Sequence, residues 1–281
     1  MRFGAITFIW TSPFVTAELG VLARVADAGF DVVDVAVEEV GVLDPGALRA
    51  ALDEHGLDVV VTGFAATGRD VSSADAAERA AGLAYGRACV DLARAAGARV
   101  VSGPLHSAVG KARALAPDER RAERRRAIDG LHELAAYAGE RGISLAIEPL
   151  NRFENDMLNT VAQGLDMCAE IDAENVGLLL DTFHMNIEEK NVGAAVIEAR
   201  GRVFHFHTSE NDRGAPGSGH VNWSEVADAL RAIEYDEVIS VESFASSVPG
   251  LQTAVSMWRP FFGDPDAFAR ESIAHIQSLF P

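Results

Sequence analysis

The chain is 281 residues long and 48% hydrophobic. That is close to twice the roughly 150 residues of an average domain, yet within reach of one large α/β domain with a single core. Lys and Arg number 24 against 42 Asp and Glu, which gives a net charge of −18. Nucleic acids and anionic membranes select basic surfaces, so this charge argues against both as partners, whereas a surplus of carboxylates suits a bound cation.

The cysteines and the apolar runs bear on where the protein works. Cys89 and Cys168 are too few for a disulfide framework or a four-cysteine zinc site, and their apolar surroundings predict buried thiols. No apolar run approaches the ~18–20 residues of a membrane span. The stretch Met1–Trp10 lacks a small-residue cleavage site, which favours a first strand over a signal peptide. We therefore expect a soluble, cytoplasmic protein.

Short apolar runs rich in β-branched residues predict eight strands. They are Phe3–Ile9, Val32–Val37, Leu57–Phe64, Arg99–Ser102, Ile143–Glu148, Val176–Asp181, Val203–His207 and Val238–Glu242. Runs that are apolar without alternation are typical of parallel strands covered on both faces.

Amphipathic stretches between and after these runs predict helices. They are Ala17–Ala28, Pro45–Glu54, Ala74–Ala96, Pro117–Glu140, Thr160–Ile171, Val192–Arg200, Ser224–Ile233 and Pro265–Leu279. Gly29, Gly56, Gly97 and Gly142 each stand between a helical stretch and a strand, the usual place of a helix C-terminal cap.

Eight strand–helix units predict one domain, residues 1–281, folded as a single (β/α)8 TIM barrel with an extra helix at the C-terminus, Pro265–Leu279. A doubly wound sheet is the structural alternative. It calls for a glycine-rich turn after the first strand, where this chain has Trp10-Thr-Ser-Pro13.

The carboxyl ends of barrel strands carry the catalytic groups of such folds. Four consecutive predicted strands, the fifth to the eighth, end in Glu148, Asp181, His207 and Glu242. Three carboxylates crowded there repel one another unless protons or a cation intervene. Two Glu, one Asp and one His form a hard, mostly oxygen donor set, which suits Mn²⁺, Mg²⁺ or Co²⁺ better than a sulfur-rich zinc site does.

Each of the four residues also has a purely structural interpretation. Glu148 is spaced to pair with Arg152, and Asp181 to cap the next helix. His207 fits a hydrogen-bonded core histidine, and Glu242 fits a cap or a pair with a nearby Lys or Arg. Their coincidence at the ends of neighbouring strands favours a metal site over four separate explanations.

His205 lies two residues before His207, so both imidazoles point to the same side of the strand. We expect His205 to lie one layer deeper in the barrel, hydrogen-bonded rather than ligating, with Ser240 as a candidate partner.

Further polar groups follow the strands and suit the gripping of hydroxyl groups. Glu154 comes six residues after the fifth strand ends, His184 three after the sixth and Arg213 six after the seventh. Salt bridges at the rim, such as Glu154 with Arg213, are the structural alternative. The segment Gly214–Gly219 resembles no phosphate loop and predicts a flexible lid or a simple turn.

The chain contains the stretches Glu148-Pro-Leu-Asn-Arg-Phe-Glu154, Leu180-Asp-Thr-Phe-His-Met-Asn-Ile-Glu-Glu189, His207-Thr-Ser-Glu-Asn-Asp-Arg213, Val241-Glu-Ser-Phe244 and the C-terminal Met257-Trp-Arg-Pro-Phe-Phe262. In these stretches, and over essentially its whole length, it resembles the D-tagatose 3-epimerase/D-allulose (D-psicose) 3-epimerase family, among the xylose-isomerase-like barrels. Their combination is specific although no single stretch is. Ser209 stands where a glycine is frequent, and the second strand reads Asp34-Val-Ala36 where an acidic residue followed by proline is common.

The resemblance implies that the four strand-end residues are metal ligands and that Glu148 and Glu242 also form the acid/base pair. It implies that Glu154, His184 and Arg213 hold the substrate. Mn²⁺, with Co²⁺ or Mg²⁺ as alternatives, is the metal it suggests. The assemblies it suggests are a homodimer or a homotetramer.

The implied reaction interconverts free ketoses at carbon 3, such as D-fructose with D-allulose, D-tagatose with D-sorbose, or L-ribulose with L-xylulose. One carboxylate removes the proton and another returns one to the opposite face, through an enediolate that a cation stabilises. The alternatives are an aldose–ketose isomerase and a metal-dependent polyol dehydratase. A zinc endonuclease would want more histidines and a basic groove, and a sugar-binding barrel without catalysis would not need opposed carboxylates.

Overall fold

The structure is a computed structural model that describes residues 1–246 and 255–280. Eight parallel strands pair in chain order and the eighth pairs with the first, so the sheet closes into a barrel. The strands are β1 (Arg2–Ile6), β2 (Val32–Val37), β3 (Asp58–Gly63), β4 (Val100–Gly103), β5 (Ser144–Ile147), β6 (Val176–Asp181), β7 (Val203–Thr208) and β8 (Val238–Val241). The predicted (β/α)8 TIM barrel is confirmed.

Nine α-helices lie in the part of the chain that the structure describes. They are α1 (Val21–Ala28), α2 (Pro45–His55), α3 (Ala76–Ala96), α4 (Pro117–Gly139), α5 (Val161–Ile171), α6 (Thr182–Glu188), α7 (Val192–Glu198), α8 (Trp223–Ala232) and α9 (Pro265–Leu279). The expected C-terminal helix is α9, which packs between α8 and α1 and so closes the ring of helices. None of these helices is long and apolar enough to cross a membrane.

The boundaries differ from the sequence prediction at the N-terminus. β1 stops at Ile6, and Thr7–Ile9, which the first apolar run includes in the strand, forms a 3-10 turn whose three residues are all buried. The predicted helix Ala17–Ala28 begins only at Val21, because a 3-10 turn and then Gly20 precede it. The apolar residues of the Thr7–Ile9 turn are buried, but burial does not distinguish a turn from a strand, so the first apolar run predicted too long a strand.

The barrel interior changes from apolar to polar along its axis. Val32, Val60 and Val238 form a separate apolar cluster at the amino ends of their strands. Asp34 and Thr62, two residues further along β2 and β3, are buried. Since residues i and i+2 of a strand share a face, this polar layer lies directly above the apolar cluster of Val32, Val60 and Val238. The side chains at the carboxyl ends of the strands rest on that layer.

Candidate active site

The four side chains at the ends of β5 to β8 meet inside the mouth of the barrel. Glu148 and Glu242 directly follow β5 and β8, Asp181 ends β6, and His207 is the penultimate residue of β7. Each is at most 7% exposed. One ligand atom from each lies within 4.8 Å of the others. The strand-end pattern thus identified four side chains that the fold brings to one point.

The carboxyl groups of this cluster differ in their affinity for protons. Burial, reinforced by the negative charges of Glu242 and Asp181, raises the pKa of Glu148 well above its usual value. Burial acts in the same direction on Asp181, but the guanidinium of Arg213, the imidazoles of His184 and His207 and a hydrogen bond with Glu242 together outweigh burial and hold the pKa of Asp181 below its ordinary range. Glu148 therefore takes up a proton readily at a pH where Asp181 stays ionised.

Asp181 also caps the helix that follows it. Its Oδ1 accepts hydrogen bonds from the backbone N–H of Phe183 at 2.6 Å and of His184 at 3.4 Å, at the start of α6. Its Oδ2 faces the cluster. The cap predicted as an alternative is therefore present together with the cluster, and it fixes both the carboxylate and the first turn of α6.

His207 is held from below by a carboxylate that the sequence analysis did not assign. Oδ2 of Asp34, in β2, lies 2.8 Å from Nε2 of His205 and 2.8 Å from Nε2 of His207. Nδ1 of His207 then lies 3.4 Å from Glu242 Oε2 and 3.9 Å from Asp181 Oδ2. Burial alone would lower the pKa of His207, but the carboxylates of Glu242 and Asp34 raise it well above its usual value.

His205 is hydrogen-bonded one layer deeper, as expected, but its candidate partner was wrong. It bonds to Asp34, whereas Ser240 Oγ has no hydrogen-bond partner among the described residues. The signal for Asp34 was a charged residue in the middle of an apolar run: a strand covered on both faces leaves such a residue buried, and buried charges need partners.

Arg213 lies on the outer side of the cluster. Its Nη1 donates to Asp181 Oδ2 and to Glu242 Oε2, both at 2.8 Å, and its guanidinium lies 4.1 Å from the ring centre of Phe183. The backbone φ of Arg213 is 65°, in the left-handed region that side chains other than glycine rarely adopt. Backbone strain of this kind clusters at functional sites.

Two of the salt bridges considered as alternatives, Glu148 with Arg152 and Glu154 with Arg213, do not form among the described residues, whereas the third, Glu242 with a nearby Arg, does form. Arg152 pairs with Glu188, not with Glu148. Arg213 pairs with the strand-end carboxylates, not with Glu154. Both glutamates are therefore available to the interior of the mouth.

His184, Asn151 and Glu154 form a chain of hydrogen bonds beside the cluster. Nδ1 of His184 accepts from the backbone N–H of Asn151 at 3.0 Å, and the side-chain Nδ2 of Asn151 lies 2.9 Å from the same Nδ1. The same amide donates to Glu154 Oε1 at 2.8 Å. Burial lowers the pKa of His184, which favours the neutral ring, and since Nδ1 accepts the backbone N–H of Asn151, the proton of the neutral ring lies on Nε2. Asn151 was not among the predicted site residues, although it lies within the stretch Glu148–Glu154.

Two donors consequently face the same point in space. Nε2 of His184 lies 3.2 Å from Nη2 of Arg213 and 3.7 Å from Glu148 Oε1. An N–H of the neutral imidazole and an N–H of the guanidinium cannot satisfy each other, but one acceptor oxygen between them would satisfy both. Hydroxyl and carbonyl oxygens of a sugar are acceptors of this kind.

A cavity of about 110 Å³ opens at this point. Its polar wall consists of Glu148, Glu154, His184, Arg213 and Glu242, and its other wall includes Phe8, Phe64, Pro104, Val109, Leu150 and Phe244. All three residues expected to hold a substrate line this cavity. It combines charged groups on one side with apolar surface on the other, which suits a polyhydroxylated molecule with C–H faces.

The segment Gly214–Gly219 is anchored rather than free. Glu210 is fully buried, and its carboxylate accepts from the backbone N–H of Gly217 at 2.8 Å and of Val221 at 2.7 Å and from the indole of Trp223 at 2.8 Å. These bonds favour the turn over the flexible lid, the two possibilities that the sequence left open. They also hold the segment that follows Arg213.

The donor set fits a divalent cation. Glu148 Oε1 and His207 Nδ1 are buried and have no hydrogen-bond partner in the described part of the chain, so an ion between them would satisfy both. Three carboxylates and one imidazole are ligands typical of Mn²⁺, Mg²⁺ or Co²⁺. Nε2 of His207 is hydrogen-bonded to Asp34, so Nδ1, which faces the carboxylates of Asp181 and Glu242, is the nitrogen that could bind a metal.

Comparison with known proteins places this barrel in a class. The sequence profile of the xylose isomerase-like TIM barrel family matches residues 22–279. The chain therefore belongs to that family.

Relatives within the class are ketose 3-epimerases. An L-ribulose 3-epimerase from Mesorhizobium japonicum is 36% identical over 98% of this chain and 93% of its own length. A D-psicose 3-epimerase from Agrobacterium fabrum is 33% identical over 87% of this chain and 86% of its own. A crystal structure of D-allulose 3-epimerase from Methylomonas sp. in complex with D-allulose superposes with a TM-score of 0.95 at 30% identity, covering 100% of this chain and 97% of that one. Within the family, the chain groups with these epimerases.

Proposed function

We propose that the protein is a metal-dependent ketose 3-epimerase that acts on free ketoses, and that residues 1–281 form a single domain. The observation that carries this proposal is the convergence of two glutamates, Glu148 and Glu242, with Asp181 and His207 beside a cavity lined by sugar-type donors. D-fructose/D-allulose, D-tagatose/D-sorbose and L-ribulose/L-xylulose are the candidate pairs. The names of the relatives support this class of substrate.

Glu148 and Glu242 are proposed as the acid/base pair. They follow β5 and β8, with β6 and β7 between them in the closed barrel, so they approach the mouth from separated positions. Inversion at a carbon needs one group to remove a proton and another to return one on the other face.

Glu148, Asp181, His207 and Glu242 are proposed as the metal ligands, with Mn²⁺ as the ion and Co²⁺ or Mg²⁺ as alternatives. When bound, a divalent ion supplies Lewis-acid stabilisation of the negative charge that develops on the sugar oxygens, a contribution of several kcal/mol. The chain itself supplies the fixed ligand geometry.

Glu154, His184 and Arg213 are proposed to hold the substrate. The N–H groups of His184 and Arg213 converge on one acceptor position, and Glu154 presents a carboxylate to the hydroxyl hydrogens of a sugar. Asn151 orients both Glu154 and His184, which fixes the direction of the polar wall.

Incubation with Mn²⁺ and each of D-fructose, D-tagatose and L-ribulose in heavy water tests the reaction. We expect the C3-epimeric ketose with deuterium at carbon 3, detected by NMR. Glu148→Gln and Glu242→Gln should each reduce turnover at least ~10²-fold, because each removes one acid or base. Glu170→Gln, an outer-surface change in α5 at the pair with Arg124, is the matched control and should retain full activity. An aldose labelled at carbon 1 or 2 would instead establish an isomerase and contradict the proposal.

Arg213→Ala separates the substrate role from the metal role. The guanidinium touches two proposed ligands, so its removal takes away a positive charge and should leave Mn²⁺ affinity unchanged or stronger. The KM for the ketose should rise ~10-fold or more, the scale of one lost bond to a charged group. Equal losses of Mn²⁺ binding and sugar use would contradict the substrate assignment.

We propose that the protein works as a homodimer or a homotetramer in the cytoplasm. Phe153 and Trp258 are 72% and 78% exposed and flank a groove of about 500 Å³ next to Glu154 and Arg213. Light scattering should give the mass of a dimer or tetramer, and a Phe153→Glu/Trp258→Glu double variant should be monomeric, whereas Val40→Glu, at an exposed position outside the groove, should not. A monomeric wild type would contradict the assembly.

The two buried thiols, Cys89 and Cys168, suit a reducing compartment such as the cytoplasm.

A further inference from the structure

We propose that Asp34 is a positioning residue for the metal ligand His207, and that it fixes the imidazole tautomer and ring direction that metal binding requires. This inference rests on the proposed metal site. It assigns a role to a residue of β2, on the side of the barrel away from the strands that carry the ligands.

The hydrogen bonds of Asp34 define its relation to His207. Asp34 is fully buried, and its carboxylate is an acceptor only, so the imidazole nitrogen 2.8 Å away must carry the proton. With the proton on Nε2, the lone pair of His207 lies on Nδ1, the nitrogen that faces Asp181 and Glu242. The other neutral tautomer would direct an N–H at the ion.

Asp34 is itself held on both oxygens. Oδ2 accepts from His205 as well as His207, and the two rings pack edge to face with centres 4.8 Å apart. Oδ1 accepts from the hydroxyl of Thr62, which is 2.8 Å from the hydroxyl of Ser102. Residues of β3 and β7 thus hold both oxygens of one carboxylate, which keeps it directed at His207.

The group Asp34, His205 and His207 also has the residue types of a metal site. Its geometry is that of hydrogen bonding: both nitrogen–oxygen separations are 2.8 Å, the length of a charge-assisted N–H···O bond. His207 uses one nitrogen for Asp34 and the other for the cluster. The arrangement is a carboxylate–histidine pair aimed at one ion, in which the carboxylate orients the ligand and raises its basicity.

Mn²⁺ affinity without substrate tests the role directly. Asp34→Asn preserves shape but lets an amide N–H face His207, so we expect Mn²⁺ binding, measured by electron paramagnetic resonance of the free ion, to weaken about 10- to 100-fold. Ser102→Ala is the matched control, since it removes a buried hydroxyl of the same layer that touches neither Asp34 nor His207 by hydrogen bond. It should bind Mn²⁺ as the wild type does. Wild-type affinity in a folded Asp34→Asn variant would overturn the proposal.

A second measurement needs no variant and therefore does not depend on folding of Asp34→Asn. In ¹⁵N-histidine-labelled wild type loaded with diamagnetic Mg²⁺, the NMR shifts of His207 should show a proton on Nε2 alone. A proton on Nδ1 would overturn the inference whatever the variant does.

The outcomes separate this inference from the proposed function. Wild type that binds Mn²⁺ and loses it with Asp34→Asn, but epimerises no ketose, contradicts the function and leaves the positioning role. Full epimerase activity with unchanged Mn²⁺ binding in Asp34→Asn contradicts only the positioning role. Wild type that binds no divalent ion contradicts both.

Discussion

The amide of Asn151 shows how one side chain sets the direction of several hydrogen bonds at once. It directs an N–H to Glu154 and another to His184, and its backbone N–H also donates to His184. Because Nδ1 of the imidazole is thereby occupied, the ring presents Nε2–H to the cavity. The direction of the hydrogen bonds along the polar wall of the cavity is therefore set by Asn151, a residue that is only 2% exposed.

Asn151→Asp should weaken that polarity. A carboxylate cannot donate to Glu154 and repels it, and it competes with the backbone N–H of residue 151 for Nδ1 of His184, so the Nε2–H would no longer be held toward the cavity. We expect the KM for the ketose to rise ~10-fold or more, about the effect of one hydrogen bond to a charged group, while Mn²⁺ affinity changes less than threefold. Steady-state kinetics and metal titration measure the two quantities.

Asn159→Asp is the control for that variant. The amide of Asn159 bonds to the backbone oxygens of Leu150 and Asn155 in the same loop, without lining the cavity. The Asn159→Asp variant should be less stable than the wild type, and its KM for the ketose should change little. A KM increase of the same size in both variants would assign the effect to loop disruption and contradict the role of Asn151.

Among the secondary-structure elements, periodicity predicted those whose burial has a regular pattern. All eight strands begin and end within three residues of their predicted ends, because strands of a parallel barrel are apolar on both faces. α6 was not predicted. Its seven residues, Thr182–Glu188, are too few to show an amphipathic repeat, and the side chain of Asp181 caps its first turn. The four proposed ligands followed from the predicted strand ends, whereas Asp34, Asn151 and Glu210 bond to partners in other segments of the chain, which a local pattern does not identify.

The loops after β3 and β4 are tied together by a buried ion-pair cluster. Lys111 pairs with Asp70 of the loop after β3 and, at 2.6 Å, with Glu123 of α4. The neighbouring Gly110 N–H donates to the backbone oxygen of Glu154 at 2.7 Å. The cluster thus fixes the loop on which Glu154 rests.

Asp70→Asn should reveal this cluster through the pH dependence of stability. Burial would raise the pKa of Asp70, but the bonds from Lys111 and Ser72 outweigh it and lower the pKa below 3.8. A carboxyl group with a lowered pKa contributes stability above its unfolded-state pKa, and that contribution is lost as pH falls through the folded-state value. Urea unfolding should give a deficit of about 2 kcal/mol at pH 7, shrinking below pH ~4.

The exposed pair of Asp118 with Arg121 provides the comparison. Asp118→Asn should change the free energy of unfolding by less than about 0.5 kcal/mol at either pH, since exposed pairs contribute little. A deficit in Asp70→Asn that stays constant from pH 7 to pH 3 would contradict the assignment of the lowered pKa to this ion pair.

For the whole molecule, the closed barrel couples ion binding to global stability. β5 to β8 each supply one proposed ligand, so an ion bound there links half of the barrel, and unfolding must release it. Free Mn²⁺ at 100 times its dissociation constant would stabilise the native state by about 2.7 kcal/mol. For a chain of this size that corresponds to a rise in Tm of about 5–10 °C. Calorimetry with and without EDTA measures it. Asp181→Asn, which keeps an oxygen to cap α6 but loses the ligand charge, should fold and show a much smaller rise. An equal Mn²⁺-dependent rise in that variant would place the ion elsewhere in the molecule.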